Sequence, residues 1–207
     1  MKKILCLVLA ALLLCTTFAA FAETTTATPA FDKSKLTGSE LYNYDKFSKD
    51  WNVQGHYIKE YSDATVLVYF LLFDNYVTEG WGPELRVVFF DKEAQHYNQI
   101  TAFRAIVGEQ MFCWETLAAS SNRGAGYAFG GDVMKEFANA LLSGNEVAFQ
   151  IDHTDKYGSS WTSTIDPVNY SDLADLRTMA RLLNDSNAWY LDSAPALSDY
   201  YYGATAE

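Results

Sequence analysis

Residues 65–73 read TVLVYFLLF, a nearly continuous run of valine, leucine, tyrosine and phenylalanine. Such a run is typical of a β-strand that is covered on both faces by other parts of the protein. Residues 51–61 come just before it and carry mostly apolar side chains on one face and mostly polar ones on the other. This alternation predicts a half-buried strand of the kind found at the edge of a sheet.

Further strand signals follow along the chain. The clearest is a hairpin in which residues 146–153 and 159–165 are joined by Thr154-Asp155-Lys156-Tyr157-Gly158. Additional strands are predicted at residues 85–90, 97–107 and 110–117. The predicted fold class is therefore mainly β with two short helices, a two-sheet antiparallel β-sandwich in a single domain.

The two predicted helices lie in the second half of the chain. Asp132 is suited to N-cap a helix that continues to Ser143, with Gly144 at the left-handed position that follows a helix. Ser171 is suited to cap the second helix, and the apolar side of that helix is expected to carry Leu173, Leu176, Met179 and Leu183.

The first 22 residues predict a secretory signal peptide. Lys2 and Lys3 precede an apolar run at residues 4–14, and small residues stand before a cut at Glu23. The alternative is a lipoprotein signal acylated at Cys15, which the bulky Leu14 disfavours. We expect an exported, soluble protein of bacterial type, located outside the cell or in its envelope (the periplasm in a Gram-negative cell).

The rest of the chain divides into three predicted segments. Residues 23–40 form a flexible Thr/Ala-rich leader, residues 41–191 the β-sandwich domain, and residues 192–207 a C-terminal tail. Cys113 is the one cysteine outside the signal, and it is predicted to be a small buried side chain. An intermolecular disulfide through Cys113 remains the alternative.

The charge of the chain limits the classes of partner. The formal net charge is −11 at pH 7, which argues against nucleic acid and against anionic lipid, because both recruit Lys and Arg. Proteins, glycans and cations remain open as partners. No spacing of His and Cys predicts zinc, and Asp74-Asn75 with Glu79 does not match a calcium loop. We therefore predict no metal and no cofactor.

Aromatic side chains in predicted connections are the leading candidates for a binding site: Tyr76, Trp81, Tyr127 and Trp161. Rings flanked by Asp, Asn and Glu suit the recognition of sugars, and Tyr and Trp are also enriched at protein interfaces. The leading hypothesis is a non-catalytic exported protein that binds an envelope protein or a glycan through these loops.

Two other functions stay open. One is a hydrolase acting on an envelope or extracellular polymer, for which Asp152, His153 and Asp155 are the candidate catalytic residues. The other is a structural subunit of an assembly, attached through its leader and through the tyrosines at 200–202.

One segment of the chain resembles a known family. Residues 137–151, FANALLSGNEVAFQI, lead through Gly158 to Ser163-Thr164-Ile165. This order of helix, glycine turn, strand, glycine turn and strand is similar to the C-terminal half of exported bacterial proteins of the invasion-associated locus B type. The resemblance implies a two-sheet sandwich and an envelope or secreted role, and it implies no enzyme activity.

Overall fold

The computed structural model describes residues 30–91, 99–115, 117–119, 125–154 and 157–190, and ten strands and four helices lie within them. The strands are β1 Tyr42–Tyr44, β2 Trp51–Glu60, β3 Ala64–Phe73, β4 Glu84–Asp91, β5 Gln99–Val107, β6 Gln110–Trp114, β7 Ala118–Ala119, β8 Ala125–Phe129, β9 Val147–Thr154 and β10 Ser160–Val168. The helices are α1 Ser34–Thr37, α2 Asp74–Thr78, α3 Gly131–Leu141 and α4 Ala174–Asp185, with 3₁₀ turns at Tyr170–Leu173 and Ala188–Tyr190.

The described strands form two antiparallel sheets. The first sheet has the order β1-β2-β3-β4-β8-β7, and the second has the order β10-β9-β5-β6. Side chains from both sheets meet in one core, where the ring of Tyr57 contacts the ring of Phe149 edge-on at 5.4 Å. The prediction of a mainly β, two-sheet antiparallel sandwich in a single domain is confirmed.

The alternation of side chains in the strands matches their burial. Every second residue is buried in β2 from Trp51 to Tyr57 and throughout β9, because successive residues point to opposite faces. Strand β3 lies between β2 and β4 and is covered more fully, with Leu71 on the outer side almost as buried as Phe70 and Leu72 on the inner side.

Helix α4 packs closely on β2 at Gly55. A Cβ atom at this position would lie 2.3 Å from the backbone oxygen of Asp175 and 2.6 Å from the Cβ of Met179. Neither predicted cap is found at its expected place, because α3 begins at Gly131 and α4 at Ala174 without a side-chain cap.

Helix α3 places Phe137 against rings from both sheets. The Phe137 ring lies 5.8 Å from that of Phe70 and 5.5 Å from that of Phe112. The C-terminal end of α3 is tied to α4 by Arg177, whose Nε donates to the carbonyl oxygen of Leu141 at 2.7 Å.

The predicted leader is wrong for residues 30–40. Leu36 of α1 is fully buried in the core, and the backbone N–H of Asp32 donates to the carbonyl oxygen of Ser186 at 3.2 Å. This segment belongs to the folded body because Leu36 gains burial there that a mobile leader would not provide. The predicted signal at 1–22, the leader residues 23–29 and the tail at 192–207 lie outside the described residues.

Candidate functional site

The four predicted aromatic residues do not form one exposed site. Tyr76 and Tyr127 are buried, Trp81 is half-buried, and only Trp161 is largely exposed. Trp161 of β10 pairs with His153 of β9, and the His153 ring stacks at 4.3 Å on Phe89, near the C-terminal end of β4. Tyr76 and Trp81, by contrast, come just before the N-terminal end of β4.

The stretch of β4 from Glu84 to Phe89 spans roughly 17 Å at about 3.3 Å per residue. The exposed Trp161 therefore lies toward the opposite end of the sandwich from Tyr76 and Trp81. The expectation of a shared aromatic site fails because local sequence does not indicate which strand ends meet.

Tyr76 and Tyr127 instead contact a buried ion pair. The carboxylate of Glu84 is fully buried, and it accepts hydrogen bonds from the Tyr76 hydroxyl at 2.6 Å and from Arg86 Nε at 2.7 Å. The Arg86 guanidinium lies 4.3 Å from the centroid of the Tyr127 ring. Burial by itself lowers the pKa of Arg86, but its ion pair with Glu84 outweighs this and the pKa is raised.

Two of the three candidate catalytic residues, Asp152 and His153, point to opposite faces of β9. Asp152 accepts hydrogen bonds from Arg104 at 2.6 Å and from Thr162 at 2.7 Å. Burial by itself raises the pKa of Asp152, but these hydrogen bonds outweigh it and the pKa is lowered. Asp155 lies outside the described residues.

His153 faces the core side and is 7% exposed. Its Nε2 lies 3.1 Å from the hydroxyl oxygen of Ser163, and its ring is stacked on Phe89. Asp152 cannot orient this imidazole from the other face of the sheet. Alternation along a strand places Asp155 on the same face as His153, but Asp155 lies outside the described residues, so the catalytic role of His153 stays a prediction.

Cys113 differs from its expected buried position. The side chain is partly exposed on β6 and lies opposite Arg104 of β5. The sequence around it contains no cation, and only the pairing of β5 with β6 brings the guanidinium there.

A cavity of about 530 Å³ lies at one end of the first sheet. It is formed where the turn between β1 and β2 approaches the junction of β3 with α2, and Asn52 pairs with Phe73 at this point. The lining residues are three aromatic side chains, three carboxylates, two amides and a hydroxyl: Trp51, Phe73, Tyr76, Asp45, Asp50, Asp74, Asn52, Asn75 and Ser48.

The turn at residues 45–50 is closed by its own hydrogen bonds. The Asp45 backbone N–H donates to the Asp50 carbonyl at 2.9 Å, and the Lys49 N–H donates to the Asp45 carbonyl at 2.8 Å. The Asp45 carboxylate accepts the Phe47 backbone N–H at 2.8 Å, and this bond lowers the pKa of Asp45. One carboxylate of the cavity thus serves mainly to hold the turn.

The aromatic side chains that line the cavity are held by contacts with other rings and with a lysine. The Trp51 ring stacks on Tyr42 at 6.0 Å, and Lys33 Nζ lies 4.6 Å from the Trp51 ring. The Tyr76 ring meets Phe73 edge-on at 5.0 Å. Because the hydroxyl of Tyr76 is bonded to Glu84, the buried ion pair fixes the position of this ring in the cavity wall.

Four polar side chains of the cavity have no partner in the part of the chain that the structure describes. Within the described residues, the side chains of Asp50, Asn52, Asp74 and Asn75 make no hydrogen bond or ion pair. Their carboxylate and amide groups are therefore available to a ligand, as acceptors and as donors. Small-molecule sites are usually lined mainly by apolar side chains with a few polar groups. This lining has six polar side chains and three aromatic ones, so it suits a strongly polar ligand.

Sequence reasoning identified only Tyr76 of the cavity-lining residues as a binding residue. Two local signals mark six of the other eight, since Asp50-Trp51-Asn52 and Phe73-Asp74-Asn75 each join a ring to a carboxylate and an amide. The triplet Asp50-Trp51-Asn52 is hard to recognise as part of a site because Trp51 also fits the alternating pattern of the strand predicted at residues 51–61. In Phe73-Asp74-Asn75, the sequence offers the oxygens of Asp74 and Asn75 as candidate calcium ligands together with Glu79, and not as part of a binding cavity.

No metal arrangement is found at this place. Across the part of the chain that the structure describes, there is no group of three or more His, Cys, Asp and Glu side chains placed to hold a metal ion. Asp74 and Asn75 line the cavity, and Glu79 follows the end of α2 and is not part of the lining.

Comparison of the chain with protein-family models, curated proteins and solved structures found no match. The resemblance to proteins of the invasion-associated locus B type stays a prediction. None of the helices in the described ranges is both long enough and apolar enough to cross a bilayer.

Proposed function

We propose that this protein is an exported, non-catalytic carbohydrate-binding protein that holds its ligand in the cavity between the turn at 45–50 and the start of α2. The observation that carries the proposal is the composition of this cavity, in which the half-buried ring of Phe73 stands beside four polar side chains that have no partner among the described residues. Trp51 and Tyr76 are only 1% and 4% exposed, so Phe73 is the ring of the lining that offers surface to the C–H face of a sugar. The carboxylates and amides suit the hydroxyl groups of a sugar.

The charge of the cavity narrows the class of sugar. Among the described residues, its lining includes three aspartates and no Lys, Arg or His, and the whole chain carries a net charge of −11. Anionic sugars would be repelled by these carboxylates. The proposed ligands are therefore neutral or amine-bearing glycans of the cell envelope or the extracellular space, which fits the predicted signal peptide.

The test is isothermal titration of the purified protein with short β-linked oligosaccharides of glucose, N-acetylglucosamine, glucosamine and a uronic acid. We expect binding to one or more of the first three and none to the uronic acid. Asp74→Asn should weaken that binding about tenfold or more, because a hydrogen bond to a charged group contributes about 1.5–3 kcal/mol.

Asp63→Asn is the matched control. Asp63 is exposed in the turn between β2 and β3, at the far end of the first sheet from the cavity, so its substitution should leave the affinity unchanged. Absence of binding to every saccharide would overturn the proposal. Equal losses in both variants would place the ligand elsewhere, and release of shortened saccharide would contradict a non-catalytic role.

A further inference from the structure

Phe47 is the most exposed large apolar side chain of the described residues, at 100% relative accessibility. A single exposed apolar residue needs no special explanation. This one, however, stands in the turn at 45–50, and its neighbours Asp45, Ser48 and Asp50 all line the cavity. Phe47 does not line the cavity, so its ring stands outside the cavity on the same turn.

The backbone of the turn holds Phe47 in this outward position. Its N–H is bonded to the Asp45 carboxylate at 2.8 Å, and Lys49 adopts a left-handed conformation with φ of +66°. Two residues of extended chain span at most about 7 Å, so the Phe47 backbone stays within that distance of Asp45. The backbone that carries the Phe47 ring is held at this range by the turn, so the ring can reach whatever projects from the cavity.

We infer that Phe47 forms a second sugar-contact position and that the ligand is a glycan chain of several units rather than a single sugar. The inference rests on the proposed function and specifies its ligand. One part of the chain occupies the cavity, and a unit beyond it packs on the Phe47 ring. The ring then loses water-exposed apolar surface only when the ligand is long enough to reach it.

The experiment compares a disaccharide with a hexasaccharide of the same sugar and linkage, chosen from the saccharides that the titrations above identify. For the unaltered protein, we expect the hexasaccharide to bind about tenfold more tightly than the disaccharide. In Phe47→Ala, the hexasaccharide should lose most of this advantage, and the affinity for the disaccharide should stay the same. Phe47→Tyr should keep the advantage because it keeps the ring.

Trp161→Ala is the control for the loss of an exposed aromatic ring, since Trp161 lies on the second sheet and toward the other end of the sandwich. It should change neither affinity. The inference is overturned if the unaltered protein shows no dependence on length, or if Phe47→Ala weakens both ligands equally or neither. In each of these cases, binding of the disaccharide in the cavity still supports the proposed function. If neither the disaccharide nor the hexasaccharide binds, the proposed function and the inference about Phe47 are both overturned.

Discussion

Replacing Arg177 by leucine should destabilise the protein strongly. Arg177 is 7% exposed, and its Nε donates to the Leu141 carbonyl at 2.7 Å and its Nη1 to the Tyr170 carbonyl at 3.2 Å. The guanidinium carbon also lies 3.6 Å from the centroid of the Tyr170 ring. This one side chain therefore joins α4 to the end of α3 and to the 3₁₀ turn that precedes α4.

The magnitude follows from these contacts. Each hydrogen bond from a charged group contributes about 1.5–3 kcal/mol, and the Leu141 carbonyl loses its partner in a buried place. A cation–π contact with a largely exposed ring adds about 0.5–1 kcal/mol. Relief of the cost of burying a charge offsets part of this sum. We expect a net loss of about 2–4 kcal/mol, or roughly 5–15 °C in the melting temperature.

Urea unfolding followed by circular dichroism measures this loss, with the free energy of unfolding extrapolated to zero denaturant. Arg181→Leu is the matched control, because Arg181 belongs to the same helix and is exposed; its effect should stay within about 0.5 kcal/mol. If Arg177→Leu changed the free energy of unfolding no more than Arg181→Leu, Arg177 would not tie the two helices together.

Two further predictions concern the packing of β2 and the acid sensitivity of β9. Gly55→Ala should lower the free energy of unfolding by about 1–3 kcal/mol, because the new Cβ would lie 2.3 Å from the Asp175 backbone oxygen. Urea unfolding measures this loss, and Gly38→Ala is the control because no atom lies within 4 Å of a Cβ there. An equally large effect of both substitutions would refute the prediction. Asp152→Asn should destabilise the protein more at pH 7 than at pH 3. The pKa of Asp152 is lowered in the folded state through its bonds with Arg104 and Thr162, so its contribution is present above the unfolded pKa of about 3.9 and is lost as the pH falls through the folded pKa. Melting temperatures at both pH values check this, and a constant difference between the two proteins would contradict it.

The strands were predictable because their signal is local. Residues 65–73 form the covered strand β3, and residues 146–153 and 159–165 form the hairpin of β9 and β10. Side-chain alternation depends only on the geometry of one strand, so it can be recognised without knowing the neighbouring strands. The same rule separates Asp152 from His153, since adjacent residues of a strand face opposite ways.

The boundaries and the site were less predictable because they depend on distant contacts. Leu36 stands in a segment with no periodic pattern, and only the packed core shows that it is buried. The local sequence predicts an exposed loop position for Tyr76, whereas in the structure its hydroxyl donates to the buried carboxylate of Glu84. A loop aromatic and a core aromatic have the same local sequence signal, and burial distinguishes them.

The sequence by itself determined the class of the fold, its acidic character and the residue types available for binding, because composition and periodicity are properties of the chain alone. Only the tertiary structure decided which of those residues share a site. The pairing of Asn52 with Phe73 brings Asp50-Trp51-Asn52 beside Phe73-Asp74-Asn75. Phe47 belongs to the turn at 45–50 that lines this cavity. Strand register is set by the packing of whole faces against the core, so the separation of these residues along the chain concealed their closeness in space.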